Sequence, residues 1–303
     1  GRFLRKHAAD FRIFIIEQSR DGRKFNRGQL LNVGFLLASN EKCDAFIFHD
    51  VDLLPSEELG PWYAIRPAHP VHVARVWDRY SGNEDYFGGV ASWNADDFAR
   101  INGFPNNYWG WGGEDDEMMR RCKTVFGERF QMDAPTTGSL RDLEDMNLEE
   151  KLTFLRQHPT WKCNVRWELR DAHLLSWFNN GLRVFRTTPE TGVLPRHVPF
   201  TSFHVQATTV LDDGGCSDDD TPRALRITVV LGLHGDWTDS YAPEPLEGAG
   251  PVYPPPHAGL PPTSAAEDPL YDKAQPDDAL HIVDLPSYLA PPIGFADHRR
   301  RAV

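Results

Sequence analysis

The sequence predicts an α/β domain with a mostly parallel central sheet and a proline-rich tail, on three observations. From Phe11 to about Gly127, short apolar runs alternate with amphipathic ones. Two further alternating segments follow, "FTSFHVQATTVL" and "ALRITVVLGL". Beyond Trp237 the composition changes, with eight prolines in the 22 residues from Tyr241 to Pro262. Strands that alternate with helices imply crossover connections and parallel pairing. A dense run of proline opposes helix and sheet alike. The expected organisation is therefore a single domain over residues 1–240 and an extended or disordered tail over residues 241–303.

Each element has its own signal. "FRIFIIE" reads as a buried strand, "NRGQLLNVGFLLAS" as a helix, and "DAFIFHD", "VHVARV" and "YFGGVAS" as three further strands. Asn94 is a cap for a short helix, "ADDFARI", which Gly103 follows. In "YWGWGGEDDEMM", Gly112 and Gly113 suit an entry turn, and Glu114, Asp115, Asp116 and Glu117 place negative charge on the first turn of a helix. Met118, Cys122, Val125 and Phe126 recur at helical spacing behind them, with Arg120, Arg121 and Lys123 toward the other end. "NLEEKLTFLRQH" also looks helical, while Trp161, Trp167 and Trp177 suggest a packed subregion. The acidic "DDGGCSDDD" is the expected loop between the two late strands.

The net charge is −12, and "HRRR" near the end is the one cluster of basic residues, which argues against nucleic acid as a partner. An anionic ligand would need a metal ion or a local basic pocket. Cys43, Cys122, Cys163 and Cys216 are widely spaced, which leaves room for one or two bridges but not for a CxxC-type zinc site. The chain contains no apolar run of membrane-spanning length, and it opens without Met, as an excised fragment would.

Two acidic clusters carry the chemistry. "FIFHDVDLLP" sets Asp50 and Asp52 where a buried strand ends, the edge at which open α/β sheets bind ligands. Two hard oxygen donors there suit Mg²⁺ or Mn²⁺ bridging a diphosphate; the plain alternative is a turn made by Asp. In "YWGWGGEDDE", glycines around tryptophans suit a movable loop with an aromatic platform for a sugar face, and the carboxylates can take hydroxyl protons. The plain alternative there is the helix start itself.

Together, "FNRGQLLNVGF", "FHDVDLLP", "YFGGVASW" and "INGFPNNYWGWGGEDDE" resemble, in order and spacing, the signature blocks of the β-1,4-galactosyltransferases, and "NNGLRVFR" resembles a later family segment. The family consists of metal-dependent inverting enzymes of the Golgi lumen with the GT-A nucleotide-sugar fold. The resemblance covers about Phe11 to Arg121 and implies an N-terminally truncated catalytic domain, the lumenal part of a type II membrane protein whose anchor lies outside this chain. It implies that Phe25, Asn26 and Arg27 contact the nucleotide, and that Asp52 ligates Mn²⁺ with Asp50 and Val51 beside the donor. Tyr86, Gly88 and Gly89 would line the donor pocket. Tyr86 resembles the members that prefer galactose over N-acetylgalactosamine.

By the same resemblance, Trp111 and Gly113 belong to a loop that closes over UDP-galactose and the acceptor. Asp115 would be the general base, with Glu114 and Asp116 orienting an acceptor that ends in N-acetylglucosamine or xylose. Where the family completes its metal site with His, this chain reads "TTGSLRDLEDMNLEEK", so Glu144 and Met146 fall nearest the metal positions. A carboxylate suits Mn²⁺; a thioether is a soft, mismatched donor. His158 and His173 lie later and would need the chain to fold back. Two rivals stand beside a transferase: a catalytically silent sugar-binding protein with the same fold, and a metal-dependent phosphohydrolase.

Overall fold

The computed structural model of the chain describes residues 1–8, 10–20, 23–41, 43–80, 82–158, 161–163, 180–183, 203–211 and 224–231. The proline-rich tail, Trp167, His173, Trp177 and Cys216 lie outside these residues. In chain order the elements are α1 (Arg2–His7), β1 (Ile13–Gln18), α2 (Arg27–Ala38), β2 (Ala45–His49), β3 (Leu53–Pro55), α3 (Gly60–Ala64), β4 (Val71–His72), β5 (Val90–Asn94), α4 (Ala95–Arg100), α5 (Glu114–Phe126), β6 (Leu140–Asp142), α6 (Leu148–Gln157), β7 (Phe203–Val210) and β8 (Ala224–Leu231).

The fold is mixed α/β, and the expectation of a mostly parallel central sheet is corrected. The strands form three small sheets, ordered β1-β8-β7, β2-β5-β4 and β3-β6. Among the strands of the described residues β1 and β8 pair in parallel, and β7–β8, β2–β5, β4–β5 and β3–β6 are antiparallel. The reason lies in the connections. α2 joins β1 to β2, which lie in different sheets, and β2 reaches its neighbour β5 through short strands, 3-10 turns and the five-residue helix α3, too short to serve as a crossover. Without a crossover helix the chain returns antiparallel.

Two predicted strands are shorter than expected. "VHVARV" is extended only at Val71–His72, and Val73–Val76 forms a 3-10 turn. Val71, His72 and Val73 are all buried, so the pattern there records a buried segment and not a half-exposed strand. "YFGGVAS" becomes extended only at Val90, because Gly89 has φ +73°, a turn conformation that suits glycine.

α2 carries no apolar stripe, since it is covered on nearly every side: Gly28, Gln29, Asn32 and Val33 are buried alike. A Cβ at Gly28 would stand 2.6 Å from the Pro105 carbonyl oxygen, so glycine permits the loop after α4 to lie on the helix. Asn32 fixes that contact, donating to the Phe104 carbonyl (2.7 Å) and to Asn106 Oδ1 (2.8 Å). The main core gathers Val33, Phe35, Phe48, Trp93, Phe98 and Met118, and a second cluster packs Leu53, Leu59, Val71, Trp77 and Tyr86. Between them, β1 and β2 face a common cleft of about 1710 Å³ that the carboxylates also line. α4 begins at the expected cap, where Asn94 accepts from Asp97 N–H (2.8 Å), and at the start of α6 Asn147 with Glu150 forms a reciprocal capping box.

Candidate active site

β2 ends at His49, and the backbone turns at once. Asp50 N–H donates to the Gly89 carbonyl (3.0 Å), which joins the first acidic cluster to the loop before β5. Arg27, the first residue of α2, donates from Nε to Asp50 Oδ1 (2.7 Å) and reaches Glu114 Oε1 (3.4 Å). Burial opposes its charge, but Asp50, Glu114 and Asp115 outweigh burial and raise its pKa. The Arg27 guanidinium thus binds the two acidic clusters together, although they are far apart in sequence.

The carboxylate run divides by face. Glu114 to Glu117 do occupy the first turn of α5, entered through Gly112 (φ +103°) and Gly113 (φ +105°), conformations close to exclusive to glycine. Glu117 turns inward to Arg120 Nη2 (2.8 Å) and Arg121 Nε (3.3 Å), a wholly structural arrangement. Glu114, Asp115 and Asp116 line the cleft. Burial first, then the neighbouring Asp115, raises the Glu114 carboxyl; burial first, then Asp116, raises Asp115. Asp115 Oδ1 accepts from Asp116 N–H (2.9 Å). Its other oxygen lies so close over Gly88 that a Cβ there would overlap it, and would also meet the Tyr86 hydroxyl at 2.6 Å.

Tyr86 is buried and stacks on Tyr80 with ring centroids 4.0 Å apart. His72 Nε2–H donates to the Gly88 carbonyl (3.0 Å), which fixes this wall from behind. Phe25 projects an exposed ring at the cleft, and Val51 is 86% exposed beside Asp50. Asn26 differs from the nucleotide contact that the resemblance implies. It is fully buried, caps α2 by accepting from Gln29 N–H (2.9 Å) and donates to the Asn106 carbonyl (2.7 Å), so its side chain is committed to the fold.

The two tryptophans of the glycine-rich loop also part company. Trp109 is core, and Trp111 lines the cleft. Trp111 is anchored through its backbone, donating to the Trp161 carbonyl (2.7 Å) and accepting from Cys163 N–H (3.1 Å). The structure therefore describes this loop docked against residues 161–163. Cys43, Cys122 and Cys163 are not bridged to one another, so no disulfide forms among the described residues.

Asp52, Asp142 and Glu144 place ligand oxygens within 4.8 Å of one another, which makes them a candidate metal centre. β3 and β6 bring them together, since Leu53 pairs with Asp142 and Leu143 N–H donates to the Asp52 carbonyl (2.7 Å). Burial, then Asp50, raises the Asp52 carboxyl, with Asp142 and Glu144 adding to it. Asp142 was missed by sequence reasoning; its spacing from Glu144 on one loop was the available signal. Met146 lies half-buried just beyond, with its carbonyl accepting from Arg79 Nε (2.9 Å). His158 is exposed, stacks on Phe154 and lines the same cleft, but is not a member of the carboxylate group.

The cleft is acidic, lies at the ends of short strands and carries its carboxylate wall on a glycine turn, an arrangement that can hold a cation and hydroxyl groups. Residues 1–63 match the family description "N-terminal region of glycosyl transferase group 7", and residues 68–144 match "N-terminal domain of galactosyltransferase". Over this region the chain is similar to the β-1,4-galactosyltransferases. It is 45% identical to human β-1,4-galactosyltransferase 4 over 128 residues, 40% of this chain and 36% of that protein. It is 41% identical to human β-1,4-galactosyltransferase 3 over 125 residues, 40% of this chain and 31% of that protein. The chain thus spans about a third of the length of these relatives. Its fold matches a crystal structure of a Drosophila β-1,4-galactosyltransferase 7 mutant in complex with manganese, UDP-Gal and xylobiose. The TM-score is 0.52 at 23% identity, covering 76% of this chain and 84% of that one.

Proposed function

We propose that the chain transfers galactose from UDP-galactose, with inversion, to the 4-hydroxyl of a glycan ending in N-acetylglucosamine or xylose, in the Golgi lumen and on a GT-A fold. The observation that carries this reading is the placement of Asp115 over Gly88 and beside Tyr86, in one cleft with the Arg27–Asp50 pair. Asp115 takes the acceptor hydroxyl proton on Oδ2 as that hydroxyl oxygen bonds to the anomeric carbon and UDP leaves from the opposite face. Asp116 N–H holds Oδ1, so the basic oxygen is presented in one orientation. Burial raises its pKa and makes it a stronger base than an exposed aspartate. Glu114 and Asp116 orient the acceptor, and Phe25, Arg27 and Val51 flank the nucleotide. Trp111 and Gly113 cover both, which excludes water as a competing acceptor.

The donor chemistry of Asp52, Asp142 and Glu144 fits a hard divalent cation such as Mn²⁺. When bound, the ion would neutralise charge growing on the diphosphate. Met146, next to this set in sequence, would add only a soft thioether, a mismatched donor for such an ion. The other reading, a silent sugar-binding protein, is favoured by one observation: cations of the protein itself already pair with two of the three carboxylates. The full chain incubated with Mn²⁺, a panel of UDP-sugars and xyloside or N-acetylglucosaminide acceptors separates the two. UDP release coupled to galactosylated product is expected; a folded protein that binds UDP-galactose but transfers to neither acceptor would sink the transferase reading.

A further inference from the structure

Glu144 and Asp142 are not free to meet an incoming ion. Arg79, in the 3-10 turn Asp78–Tyr80, is buried with its guanidinium over the Trp77 ring at 4.8 Å. Its Nη1 donates to Glu144 Oε2 (2.9 Å), its Nη2 pairs with Asp142 Oδ2, and its Nε is fixed on the Met146 carbonyl (2.9 Å). Lys151, one turn into α6 and nearly buried, pairs with the other oxygen of Glu144. The second oxygen of Asp142 accepts from Glu144 N–H (2.8 Å). Three of these four oxygens accept a hydrogen bond from the protein, and the fourth, Asp142 Oδ2, is in ion-pair contact with Arg79 without a hydrogen bond. Asp52 is the member of the trio with no cation paired to it among the described residues.

From this occupancy we infer that Arg79 and Lys151 are built-in counter-ions that compete with the divalent cation for Asp142 and Glu144, and so set its affinity. The inference rests on the metal-dependent reading above. Two positive charges beside these carboxylates repel an incoming cation, and the ion must share or displace a protein cation at Asp142 Oδ2 and at both oxygens of Glu144. An orienting role predicts the opposite sign: side chains that merely hold ligands in place strengthen metal binding, and their loss weakens it. The two roles can thus be told apart by direction alone.

The test is Mn²⁺ titration of the full chain, followed through the EPR signal of the free ion, which does not depend on activity. Lys151→Gln should tighten Mn²⁺ binding by about tenfold, and Arg79→Gln by at least as much. Lys151 is the safer variant, because Arg79 also braces Met146 and Trp77; circular dichroism reports whether Arg79→Gln folds. Asp52→Asn should abolish binding in every background. Affinity unchanged or weakened in Lys151→Gln overturns the inference while leaving a metal-dependent enzyme intact. Absence of Mn²⁺ binding in all variants, or binding that survives Asp52→Asn, overturns both the inference and the metal reading.

Discussion

Asp115→Asn separates the two meanings of the carboxylate run. The amide keeps the shape and retains an oxygen to accept from Asp116 N–H, so the 2.9 Å bond at the start of α5 survives. What disappears is a charge that burial and Asp116 both disfavour. If the run served only the helix dipole, the variant would lose about 0.3–1 kcal/mol of stability and keep its turnover. The buried setting predicts otherwise: melting temperature unchanged or slightly higher, because relief of buried charge offsets the dipole loss. Turnover should fall by about 10²–10⁴, equivalent to about 3–5 kcal/mol of transition-state stabilisation. UDP release measured at saturating acceptor gives kcat, and calorimetry with UDP checks that donor binding is retained. The wild-type rate should fall on acidification at a pH above the ordinary aspartate range, since the base must be ionised and its pKa is raised. A folded Asp115→Asn protein with near-native rates would refute the assignment and move it to Glu114 or Asp116.

Three further outcomes are expected. Tyr86→Leu removes a ring that stacks on Tyr80, and should raise use of UDP-N-acetylgalactosamine relative to UDP-galactose; a donor ratio equal to wild type in a product assay would remove Tyr86 from donor choice. His72 is held neutral, its pKa lowered from 6.5 to about 4 by burial. Because the folded value lies below the unfolded one, its contribution is complete above about pH 6.5 and is lost as pH falls toward 4, by about 3 kcal/mol in all. Urea titrations of His72→Gln, which can still donate to Gly88, should show that acid loss flattened; an unchanged slope would contradict the argument. Glu117→Ala leaves Arg121 charged at 1% side-chain exposure and should cost about 3–5 kcal/mol in urea unfolding. A loss under 1 kcal/mol would mean that the bonds from Arg121 to the Gly103 (2.7 Å) and Asn180 (2.6 Å) carbonyls suffice on their own.

What the sequence disclosed, and what it withheld, follows from the range of the forces involved. β1, α2, β2 and α4 were legible because each is written in local terms: an apolar run, a cap at Asn94, a glycine at a turn. Strand direction was not, since periodicity is the same for parallel and antiparallel neighbours, and the direction of β5 was decided by the connection after β2. The carboxylates that matter were visible as residue types, but their roles were set by distant partners. Glu117 is structural and Asp115 faces the cleft because α5 turns one toward Arg121 and the other toward Gly88. Asn26 looked like a ligand contact and became a cap because Asn106, 80 residues away, claims its amide.

Arg79 is the sharpest instance. Nothing near it in "VWDRYSG" announces a role, yet it meets Asp142 and Glu144 more than sixty residues later and stands between them and any cation. A carboxylate trio read from sequence counts as three negative charges; with Arg79 and Lys151 beside it, the net is one. That difference decides whether the same residue types attract an ion strongly or hold one in balance with the protein's own cations, and it is a property of the fold and not of the motif.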